Sequence, residues 1–129
     1  MIKYDINRIK CSEDEKKELL IYIDHLLELK VHYEKQGALF FKELMNHNDD
    51  ILENVSLWLV WQGYNPSLSA DILSNLLSGS SDCGLKYVKH IMFFEVLLFL
   101  QTGNNSEREL KLYLLSFVDE KLLYEYVKS

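Results

Sequence analysis

Leu85-Lys86-Tyr87-Val88-Lys89-His90-Ile91-Met92-Phe93-Phe94-Glu95-Val96-Leu97-Leu98-Phe99-Leu100-Gln101 is apolar on nearly every side of a helix. Such a helix has no polar face to turn toward water, so it reads as the buried centre of a helical domain. Its most hydrophobic part, residues 91–100, is about half the length needed to cross a bilayer, and Glu95 interrupts it. Gly103 marks its stop. Ser106 with Glu109 caps a further helix, predicted over 107–117, and a last one follows over roughly 119–127.

Working back toward the N-terminus, Asn65-Pro66 opens a helix carrying Leu68, Ile72, Leu73, Leu76 and Leu77. The loop Ser78-Gly79-Ser80-Ser81-Asp82-Cys83-Gly84 separates it from the central helix. Asp50 with Glu53 caps a helix rich in Val, Leu and Trp that Gly63 ends. Ser12 with Glu15 forms a capping box, and an acidic first turn (Glu13, Asp14, Glu15) suits the positive end of the helix dipole. Leu19, Ile23, Leu26, Leu27 and Val31 then recur at helical spacing, and the pattern runs on through Ala38, Phe41, Leu44 and Met45. This first helix spans 13–46, either unbroken or kinked at Gly37. Residues 1–12 form an N-terminal arm whose weak alternation (Ile2, Tyr4, Ile6, Ile9) fits an extended segment or a short strand. The expected fold is all-α: one domain over 13–129, a compact bundle of about six helices around residues 85–101.

Composition agrees. One Pro and five Gly in 129 residues are too few for the turns of a β-sandwich. With 48% hydrophobic and 26% charged residues, the chain falls in the range of folded globular proteins. A net charge of −6, with no Lys/Arg-rich face, argues against nucleic acid as a partner. Cys11 and Cys83 lack metal-binding or redox spacing and read as free thiols of a cytoplasmic protein. The N-terminus has no secretory apolar run, and no membrane span is expected.

Chemistry-bearing residues are scattered. His25 and His32 lie about 10 Å apart along a helix, too far to share a metal, and read as surface or boundary residues. His47-Asn48-Asp49-Asp50 reads as a capping turn, and His90 as buried or at the edge of the central helix. No nucleophile elbow or phosphate-binding Gly-rich loop is present, so no catalytic residue, metal or cofactor is assigned. Glu95, among Phe93, Phe94, Val96 and Leu97, needs a donor, expected from an ion pair or a neighbouring helix terminus. Trp58 and Trp61 share a helix face, which reads as core in preference to an exposed patch.

Two stretches resemble the cytoplasmic domain of the flagellar motor stator family (MotA/ExbB-type). Gly37-Ala38-Leu39-Phe40-Phe41, then Gly63-Tyr64-Asn65-Pro66 with Ile72-Leu73, look like its first cytoplasmic piece. Glu95, Leu97, Leu98, Leu100, Gln101, Gly103 and Asn105, with Leu114-Leu115-Ser116-Phe117, look like its second. The likeness covers about residues 30–121, in the family's order, with Val96 in place of a Gly and Ser106 in place of a Pro. The family crosses the membrane twice between the pieces, whereas this chain has only the loop 78–84. The resemblance therefore implies a soluble, non-catalytic module that conducts no ions. It also implies a protein-binding surface at Glu34, Lys42 and Glu43, facing a flagellar rotor or stator component. Glu34 and Lys42 reverse the signs that the family presents to the rotor protein FliG, which points to a changed partner surface. The alternatives are a small helical adaptor or regulator unrelated to motility and a metal-dependent hydrolase using the histidines.

Overall fold

Seven α-helices and no strand make up the computed structural model, which describes residues 1–129. They are α1 (Glu13–Gln36), α2 (Leu39–Met45), α3 (Ile51–Trp61), α4 (Pro66–Gly79), α5 (Gly84–Gln101), α6 (Glu107–Leu115) and α7 (Glu120–Lys128). Helix α5 packs against α1, α3, α4 and α6, and twelve of its side chains are buried, so the expected central helix is the observed one. No helix is long and apolar enough to cross a membrane.

The caps read from sequence place the helix starts. Ser12 and Glu15 exchange both capping-box bonds, and Asp50, Asn65 and Ser106 each accept a first-turn N–H of α3, α4 and α6. Helix α3 ends in a Schellman arrangement, with Gly63 N–H donating to Val60 and Tyr64 N–H to Leu59. That ending needs the φ of +77° that Gly63 adopts without strain.

The count of about six helices becomes seven because the first predicted helix divides. Gly37 adopts φ +70° and ψ −162°, outside the helical region, and the chain restarts at Leu39. The break lets α2 fold back on α1, where Tyr33 stacks on Phe41 with ring centres 5.0 Å apart and His32 on Phe40 at 5.3 Å. The buried face of α1 also drifts from the predicted stripe near its end: Val31 is exposed, while Leu29 and Lys30 are buried.

The N-terminal arm forms no strand. It contains a single 3-10 turn, Ile6–Arg8, and its backbone hydrogen bonds go to side chains of other helices. Ile2 N–H reaches Glu95, Lys3 N–H reaches Ser74, and Asp5 N–H reaches the Tyr87 hydroxyl. With no partner strand to pair against, these are the acceptors that satisfy the arm. Ile2 enters the core, so the arm and the bundle share one hydrophobic interior.

Candidate functional site

Helix α5 carries two buried polar side chains, His90 and Glu95, and each gathers distant parts of the chain. His90 Nδ1 lies 2.8 Å from Asp82 Oδ2, in the α4–α5 connection, and Nε2 lies 2.8 Å from Asp50 Oδ2, the cap of α3. His90 thus bridges two carboxylates, one at each ring nitrogen. Phe94 stacks one turn on, its ring 5.9 Å from the imidazole and nearly parallel. Asp82 also lies 3.5 Å from Lys86, and its backbone carbonyl accepts from Arg8.

Glu53 completes this cluster. Its carboxylate accepts from the Asn48 amide at 3.1 Å, and neither it nor Asp50 pairs with a Lys or Arg. Ligand-capable atoms of Asp50, Glu53 and His90 all lie within 4.8 Å of one another. Burial, reinforced by the charge of Asp50, holds the Glu53 carboxyl above its usual range. Partial burial opposes ionisation of Asp50 too, but the Glu53 backbone N–H and the His90 ring outweigh it and hold that carboxyl low. Burial and the charges of Glu53 and Asp50 push the nearby Tyr22 hydroxyl far up, keeping it neutral.

Glu95 has neutral partners. Ile2 N–H donates to Oε1 at 2.7 Å and the Tyr113 hydroxyl to Oε2 at 2.6 Å. The expected ion pair or helix terminus is replaced by the arm's backbone and a side chain of α6, because α5 meets those groups at this level of the bundle. Burial, aided by this bond, raises the Tyr113 hydroxyl well above its ordinary value. A cleft of about 440 Å³ opens beside Glu95 and Tyr113, lined also by Pro66, Ser67, Leu98 and Phe99. At its side the Gln101 amide donates to the Tyr64 carbonyl at 2.7 Å, joining the end of α5 to the turn before α4.

The surface residues Glu34, Lys42 and Glu43 occupy the last turn of α1 and the middle of α2. All three are exposed, but two already have intramolecular partners. Glu34 Oε1 lies 2.7 Å from Nζ of the buried Lys30, and Lys42 stands over the Trp61 ring at 5.8 Å. Glu43 has no ion-pair partner. Trp58 is 44% exposed and meets Tyr64 with ring centres 5.5 Å apart, whereas Trp61 is half-buried and packs against the core, so only one of the two indoles takes the core position expected of both. His25, His32 and His47 are exposed and none belongs to the ligand-capable group at His90, although His25 lines a shallow cleft together with Tyr22, Asn48 and Glu53.

By sequence, Asp50 with Glu53 reads as a helix cap, the run His47–Asp50 only superficially suggests a metal site, and Asp82 falls in the loop 78–84. The one available signal was the presence of a histidine inside an otherwise apolar helix. Its acceptors lie 40 and 8 residues away, and only the fold brings the first of them near. No protein-family model matches the chain, and neither a curated protein nor a solved structure matches it.

Proposed function

We propose that this chain is a non-catalytic, stator-like interaction module that binds a component of the bacterial flagellar motor. One observation carries the reading: the two stretches that resemble the two cytoplasmic pieces of a stator subunit meet. The Gly63-Tyr64-Asn65-Pro66 turn and the Gln101-x-Gly103-x-Asn105 run are joined by the Gln101–Tyr64 hydrogen bond. Helices α4 and α5, where the family would leave and re-enter the membrane, are linked here by residues 80–83 alone. One core holds residues of both stretches, including Leu73, Leu97 and Leu114.

The partner-facing surface is the α1–α2 end, with Glu34, Lys42 and Glu43. Since Glu34 is partly neutralised by Lys30, Lys42 and Glu43 carry most of the recognition. Exposed charges steer encounter and select partners more than they add affinity, so binding weakens with salt. The reversed signs at 34 and 42 suit a rotor or stator surface whose charges are themselves exchanged.

Purified chain is to be tested by biolayer interferometry against rotor and stator proteins of the same cell. Saturable, salt-sensitive binding to one of them is expected, with at least a tenfold slower association for the K42E/E43K double variant. No binding to any motor protein, together with normal swimming after deletion of the gene, overturns the reading and leaves the adaptor outside motility.

A further inference from the structure

We infer that Asp50, Glu53 and His90 form a binding site for a divalent transition-metal ion of the zinc type, fastening the first turn of α3 to α5. This inference is independent of the partner proposed above. Zinc sits about 2.0–2.2 Å from nitrogen and oxygen ligands, so neighbouring ligands are about 3–3.5 Å apart. His90 Nε2 and Asp50 Oδ2 are hydrogen-bonded at 2.8 Å, so they need to part by only about half an ångström, with any proton between them leaving, to span such an edge. The Glu53 carboxylate lies within 4.8 Å of both and is held only by the Asn48 amide, so a small side-chain rotation brings it in.

Three further features fit a metal better than a simple ion pair. His90 is 3% exposed, and its Nδ1 is fixed on Asp82, the carboxylate–histidine arrangement that orients ring nitrogens toward metals. Two carboxylate ligands match the charge of a divalent ion, and neither forms an ion pair with Lys or Arg. Lys86, the only lysine ion-paired to the cluster, contacts Asp82 and not a ligand. Asp50 and Glu53 are also only partly buried, which leaves solvent to supply a fourth ligand. A nitrogen donor with only two carboxylates does not suit magnesium or calcium, which take predominantly oxygen shells.

Calorimetric titration of the chelator-treated chain with zinc chloride tests the site. One zinc per chain is expected, with a melting temperature that rises with zinc and not with magnesium. E53Q removes a ligand without disturbing the His90 hydrogen bonds, and is expected to weaken binding at least tenfold. D82N leaves all three ligands and is expected to weaken it about 10–100-fold. The nitrogen resonances of the His90 ring should move on zinc addition in the wild type. Absence of saturable binding overturns the inference. So does zinc binding that E53Q leaves unchanged, which would assign the ion to the exposed histidines.

Discussion

His90 and Glu95 sit five residues apart on the same buried helix, yet their surroundings solve opposite problems. At His90, charged groups converge from α3 and from the α4–α5 connection, and carboxylates outnumber the imidazole. At Glu95, a single carboxylate is met by a backbone N–H and a phenol, with no cation in contact. The first cluster ties the helix down by charge and retains surplus negative charge beside it. The second spreads one charge over two neutral donors and also anchors the N-terminal arm. Buried polarity in one helix can therefore serve recruitment of a cation at one level and closure of the fold at another.

Removing His90 should have the largest effect on this contrast. H90A leaves two carboxylates without their shared donor. Breaking a buried pair costs about 3–5 kcal/mol, which partial solvent access to Asp50 reduces to roughly 2–3 kcal/mol. Urea unfolding measures it; a loss below about 1 kcal/mol would place both carboxylates in water and end the distinction.

A smaller loss is expected at the other level. Y113F deletes one of the two donors to Glu95 while preserving the ring, and should cost about 1–2 kcal/mol. Amide exchange should quicken less at Ile2 than at residues of α6, because the Ile2–Glu95 bond survives. If the arm detaches instead, the two donors act as one unit.

The smallest effect is a gain. Glu53, held high by burial and by Asp50, lowers stability as pH rises through its raised folded value. Asp50, held low in the folded state, contributes stability above the ordinary carboxylate range that disappears as acid takes pH down through its folded value. Without metal, E53Q should therefore raise the melting temperature at pH 7 by about 1–3 °C, and the gain should vanish near pH 4. An unchanged melt at pH 7 would mean that Asn48 and solvent already relieve the crowding.

Much of the fold could be read locally. Ser12, Asp50, Asn65 and Ser106 cap helices within three residues of themselves, so their roles need no knowledge of the rest of the chain. The candidate sites could not. Val31 is exposed while its neighbour Lys30 is buried, and on α3 Trp58 lies outward while Leu57 is buried, because which face of a helix turns inward is set by the helices packed against it. Among the surface residues Lys30 holds Glu34 and Trp61 lies under Lys42, whereas Glu43 has no ion-pair partner.

By itself the sequence determined an all-helical chain, the helix starts, and the burial of residues 85–101, because capping and amphipathic period act over one or two turns. Only the tertiary structure decided where the first helix breaks and folds back, and what surrounds the two polar groups of α5. It carried the arm across 93 residues of sequence to Glu95 and set Asp50 against His90 across 40. Those contacts depend on how helices cross, and helix crossing is fixed by the packing of the whole core.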